Sequence, residues 1–106
     1  AEARVAAFAA DAKHEFVAGA RASVEEGERE LAWAKEKLAQ ADEAVVAEWQ
    51  ELVDGLEEKH RAAAAELEKI ERAEGEAWTE MRHGFVAAYH DLRDASKRAA
   101  DRLDTI

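Results

Sequence analysis

Between residues 75 and 103 the chain reads GEAWTEMRHGFVAAYHDLRDASKRAADRL, with larger or inward-pattern residues at Trp78, Met81, Phe85, Ala88, Leu92, Ala95 and Ala99. The steps alternate three and four without a slip. That is the period of a helix that buries one stripe against partner helices. Two upstream segments repeat it, so the chain is built to lie side by side with itself or with a copy.

In residues 2–40 the stripe is Val5, Phe8, Ala12, Phe16, Ala20, Val24, Gly27, Leu31, Ala34 and Leu38. Its steps from Phe8 to Val24 are all fours, so the stripe drifts around the helix before settling. Gly19 and Gly27 each cost about 1 kcal/mol relative to alanine in a helix interior. Gly27 lies on the seam itself, which predicts close approach of a neighbouring backbone. Trp33 misses the seam and falls on a flank with Glu26, Glu30, Lys37 and Gln40. Two readings of Trp33 follow: partial burial under charged stems, or an anchor for a second interface.

The segment 43–73 places Val45, Trp49, Leu52, Leu56, His60, Ala63, Leu67 and Ile70 inward. The successive fours from Leu52 to His60 form a stutter, with Gly55 just ahead of the histidine. Of the two boundaries, Glu74-Gly75 is the sharper, because glycine takes the left-handed conformation that closes a helix. Glu76 and Glu80 then suit the start of the last helix, and Arg93, Lys97, Arg98 and Arg102 its end. At Ala41-Asp42-Glu43, Asp42 is a competent N-cap and Glu43 suits a first turn. Yet no glycine or proline enforces a turn there, and the seam continues through Leu38, Ala41 and Val45.

These segments predict a single all-α domain over 1–106, with helices at about 2–40, 43–73 and 76–104. The expected architecture is an antiparallel three-helix bundle of spectrin-like outline. The competing arrangement fuses the first two segments into one helix of about seventy residues, a long hairpin that must dimerise through its first half to hide its stripe.

Composition narrows the function. A length of 106 residues fits one domain. The apolar fraction is 48%, but alanine dominates it and there are three Trp, three Phe and one Tyr, so the core is thin and its backbones pack closely. Absence of cysteine excludes disulfides and thiolate metal sites. No apolar run reaches the roughly 18–20 residues of a membrane span. A soluble protein is expected, cytoplasmic slightly ahead of a mature periplasmic form; AEARVAAFAADAK has neither an initiator methionine nor a signal layout, which fits a form with its signal removed as well as a trimmed chain. The net charge of −10 argues against nucleic acid, whose affinity comes from Lys and Arg on phosphates. Residues 42–74 hold 11 acids and 4 bases, a face that is either solvated or docks a basic partner.

From Ala47 to Leu103, the GEAW run (Gly75, Glu76, Ala77, Trp78), the spaced Gly84, and then Tyr89, Leu92, Ala95, Ala99 and Leu103 resemble a group of small bacterial coiled-coil proteins. Some of that group are described as stress-response proteins of cyanobacterial type without a defined biochemical activity. The resemblance implies a helical, stress-linked protein and brings no catalytic residues. Tyr89 departs from the group's pattern, which tends to carry Trp there, and the first 23 residues match nothing in it.

Three spacings have metal-ligand form: Asp11-x-x-His14, Glu57-x-x-His60 and Glu80-x-x-His83. A carboxylate and a histidine three apart share a helix face, and paired Glu-x-x-His helices build di-iron sites. Glutamate is abundant enough here to supply such pairs by chance. A hairpin turning near Glu74 also sets His60 level with Ala88, away from His83. His83 and His90, seven apart, share a face as two solvated histidines. No metal or cofactor is therefore expected. Two serines and two threonines, with no elbow and no glycine-rich loop, leave no nucleophile or phosphate cradle. Neither enzyme activity nor a small-molecule substrate is expected.

The functional expectation is a non-enzymatic interaction or structural protein with a protein partner or self-association, in which Trp33, Trp78, Phe85 and Tyr89 are the candidate interaction residues. The alternative is reversible binding of a membrane surface by the amphipathic helix 76–104. The third is a metal-binding bundle around His60.

Overall fold

The computed structural model describes the backbone of residues 2–104 and the side chains of residues 12–104. Its elements are α1 (Glu2–Ala39), α2 (Val46–Arg72) and α3 (Trp78–Leu103), with no strand among the described residues. Cross-links fix their directions. Arg21 pairs with Glu71 and Lys35 with Glu57, so α1 and α2 are antiparallel. Lys59 pairs with Asp91 and Glu48 with Arg102, so α2 and α3 are antiparallel too. The result is a slender three-helix bundle of 64 × 17 × 16 Å.

The fused 70-residue helix does not form, because α1 stops at Ala39. Its last turn tightens: the Gln40 N–H donates to Lys37 O and the Ala41 N–H to Leu38 O, both at 3.1 Å. Asp42 then acts through its backbone, its carbonyl accepting from Val45 N–H and Val46 N–H at 3.0 Å, and α2 starts at Val46 without a side-chain cap. Reversal here needs no glycine because it is driven by burial. Leu38, Ala41 and Val45 tuck against the bundle end, and Trp49 goes in to 3% exposure. Burying one such large side chain is worth roughly 2 kcal/mol. At the other end Ala73 turns extended, and Gly75 takes φ +61°, the left-handed conformation its position requires.

The core follows the stripes with three departures. Val53 is buried at 2% alongside half-buried Leu52, two adjacent positions drawn inward at the stutter in α2. Met81 lies exposed one turn into α3, although Trp78 before it and Phe85 after it on the same stripe are buried. Further along, the buried run is Leu92, Ser96, Ala99 and Leu103, with Ala95 only half-buried. Gly27 is also corrected: the atoms a Cβ would meet are Leu92 Cδ2 at 3.1 Å and His60 Cδ2 at 3.4 Å, so two side chains fill the notch, not a backbone. Val5 and Phe8 lie outside the described side chains.

Polar bridges complete the attachment of α1. Lys13 Nζ donates to Ala73 O and, at 3.4 Å, to Glu71 O, placing a cation on the carbonyl-rich end of α2. Arg21 Nε donates to Glu71 Oε1 at 2.9 Å. Chiefly through that hydrogen bond, the Glu71 carboxyl is held below the usual carboxylate range and the Arg21 guanidinium is lifted above its ordinary value.

Candidate functional site

Small residues set up the site. Where Ala34 on α1 faces Ala99 and Ala100 on α3, no bulky side chain fills the space between the two helices, and an open groove of about 590 Å³ results. Leu56 forms its floor, Trp33 one wall and Ser96 part of the other. Trp33 is half-buried and packs on the core edge, with the Lys37 ammonium 5.8 Å from its ring centroid. That spacing is within the range of a cation–π contact. Trp33 thus lies off the seam, half-buried at the core edge with the Lys37 side chain over its ring, which is the first of the two readings its flank position allows.

At one end of the groove the Glu30 carboxylate joins α1 to α3. Its Oε1 accepts from Arg93 Nη1 at 3.0 Å, and its Oε2 accepts from the Ser96 hydroxyl. Ser96 is 9% exposed, and this bond satisfies a hydroxyl that would otherwise be stranded. Sequence reasoning passed over Ser96 by stepping from Leu92 to Ala95. The signal available was the step to Leu103, since 92, 96, 99 and 103 hold the same period.

The other aromatic candidates lie elsewhere. Trp78, Phe85 and Tyr89 gather at the α2–α3 turn end, about 20 Å along the bundle from Trp33 by the rise per residue. Phe16 of α1 joins them, 5.8 Å from both the Trp78 and the Phe85 ring, and Phe85 stacks on Tyr89 at 6.0 Å. Trp78 and Phe85 are buried, and Arg82 lies over the outer side of the Trp78 ring at 5.8 Å. This cluster is core, with one unspent group: the buried Trp78 Nε1–H has no hydrogen-bond partner among the described residues.

The carboxylate–histidine pairs do not converge. Glu57 Oε1 is taken up by Arg61 at 3.1 Å and Lys35 at 3.5 Å. His60 Nε2 lies 3.2 Å from Val24 O, and since a carbonyl only accepts, this nitrogen carries the proton. Glu80, His83 and His90 are exposed on α3 and His14 is exposed on α1, while Asp11 lies outside the described side chains. The Lys59–Asp91 pair sets His60 level with the turn that carries His90, about 10 Å from His83 by helical rise. No group of three or more His, Asp or Glu side chains among the described residues could hold a metal ion. Likewise no helix of the described residues is long and apolar enough to cross a membrane.

No protein-family model matches the chain. Comparison with curated proteins and with solved structures also finds no match.

Proposed function

We propose that this chain is a non-enzymatic helical interaction protein that works through helix–helix contacts on its α1–α3 face. The observation that carries the reading is the groove beside Trp33: a half-buried tryptophan walls an open, alanine-sided channel of about 590 Å³. Small residues let a further helix approach closely, and a tryptophan at the edge supplies a large contact at low entropic cost. A stress-linked bacterial role, which the resemblance carried by the GEAW pattern implies, belongs to the same proposal.

The membrane-surface alternative draws no support from a particular observation. Of the side chains that helix 76–104 would offer to lipid, Trp78, Phe85 and Leu92 are buried in the bundle and would have to leave it, whereas Met81 is exposed and Tyr89 half-buried. A metal-binding role would have to strip Glu57 from two cations.

Site-specific photo-crosslinking in the source cell tests the reading, with the reactive residue placed at Trp33 and, as a control, at exposed Glu58 of α2. A discrete protein adduct from position 33 and none from position 58 is expected. Adducts to lipid, or equal labelling from both positions, would contradict it.

A further inference from the structure

The α1–α3 face has a charge order that selects its occupant. On α1 the outer stripe is Glu26, Glu30, Trp33, Lys37 and Gln40, running from acid to base. On α3 the matching stripe is Arg93, Lys97, Ala100 and Asp104, running from base to acid, and Arg93, Lys97 and Asp104 are exposed. Gly27 packs on Leu92, and Glu30 reaches Arg93 and Ser96, so the two helices run parallel in fixed register. In that register Trp33 and Ala34 stand level with the turn from Lys97 to Ala100.

From this register we infer that the occupant of the groove is a second copy of the chain, docked face to face and antiparallel about a two-fold axis at the level of Trp33. Such an axis lies in the interface across the helices, so it sets α1 against the α1 of the other copy and α3 against its α3. On α1, an axis between Trp33 and Ala34 brings Glu30 opposite the other copy's lysine at position 37. On α3, an axis between Lys97 and Ala100 brings Arg93 opposite its aspartate at position 104 and Lys97 beside its aspartate at position 101. Both conditions are met by one axis, because those two midpoints are already level in the monomer. The two Trp33 rings then meet near the axis, where Ala34 and Ala100 leave room for them.

A parallel docking would also match charge, setting Glu30 near the other copy's arginine at position 93 and Lys37 near its aspartates at 101 and 104, but it fails on the tryptophans. It would set α1 against α3 of the other copy in register, leaving the two tryptophans apart on opposite sides of the groove. The Glu30 carboxylate is shared in the dimer: it keeps Ser96 and Arg93 within its own copy and faces an added cation. Each monomer carries −10, so the local matches work against a general repulsion that salt screens.

The inference rests on the proposed interaction role and adds the identity of the partner. Sedimentation velocity on the full chain, over roughly 5 to 200 µM in moderate salt, tests it. The mass is expected to rise from 11.7 kDa to twice that value. Asp104→Arg, which opposes Arg93 twice in such a dimer, should weaken association at least about tenfold, as should Trp33→Ala. Glu58→Arg makes the same charge change on exposed α2 and should leave association intact. Circular dichroism on each variant separates loss of pairing from loss of fold. A monomer throughout the range, or a dimer indifferent to both groove variants, overturns the inference. If the chain stays monomeric while position 33 still crosslinks to a different protein, self-pairing fails and the interaction role stands. If position 33 yields no protein adduct either, both fail.

Discussion

α2 and α3 meet through bulky side chains, whereas α1, over its described side chains from residue 12 onward, meets them mostly through small ones. The hairpin buries Trp49, Val53, Leu56, Leu67 and Ile70 from one helix and Trp78, Phe85, Leu92 and Leu103 from the other. Among the described residues α1 buries Ala20, Gly27, Leu31 and Ala34, and its larger apolar groups Phe16, Val17, Val24 and Leu38 are only half-covered. What α1 lacks in apolar area it makes up with bridges: Lys13 to the end of α2, Arg21 to Glu71, Lys35 to Glu57, Glu30 to Arg93 and Ser96, and Val24 O to His60. Exposed ion pairs each contribute little, about 0–1 kcal/mol. The hairpin is thus the scaffold, and α1 is the element whose outer face and attachment are free to serve contacts.

The comparison breaks most sharply in the hairpin core. Leu56 is 1% exposed and sits where α2 faces both neighbours, so Leu56→Ala should cost about 3 kcal/mol in urea unfolding. That is a large share of the stability of a chain this size. A loss under about 1 kcal/mol would mean the hairpin is not the scaffold.

Next come two glycines, Gly27 and Gly55, which differ in the space around them. At Gly27 the notch is filled by Leu92 and His60, so Gly27→Leu overpacks it and should cost about 2 kcal/mol, displacing α1 from the hairpin. At Gly55 nothing lies within 4 Å of an added Cβ, so Gly55→Ala should stabilise by about 0.5–1 kcal/mol through helix propensity alone. The same melts check both. Two substitutions of equal sign would erase the distinction.

The smallest effect is electrostatic. Because Arg21 holds Glu71 below the ordinary carboxylate range, their pair stabilises the fold above that range, and the benefit disappears as pH falls through the Glu71 value. Arg21, raised, stays charged across the whole interval. Glu71→Gln should lower the urea midpoint slightly at neutral pH, and the gap to wild type should close below about pH 4. A gap that widens with acid would reverse the sign and contradict the assignment.

Much of this was legible in the residues. The three-four spacing placed Phe85, Leu92 and Ala99 on α3, and Leu56, Ala63, Leu67 and Ile70 on α2, because helical period and burial are coupled by geometry. Gly75 announced its turn through backbone sterics. The turn at 40–45 was ambiguous because its cause is tertiary: Asp42 contributes a carbonyl that any residue has, and the driving burial belongs to Trp49 and Val45. The stripe misled at Ala95 because period alone does not tell a seam residue from its neighbour, and Ser96 is drawn in by a carboxylate on another helix. Trp33 was recognised as an outlier from the seam. The groove beside it was not, since it depends on three alanines from two helices standing level.

The division of labour between hairpin and α1 is tested most directly by residue-resolved native-state hydrogen exchange on the full chain. Amides of α2 and α3 should exchange only through global unfolding, while those of α1 from Val17 to Leu38 exchange through a lower-energy opening that leaves the hairpin folded. Equal opening energies in all three helices would contradict the scaffold assignment and make α1 as much a part of the core as its partners.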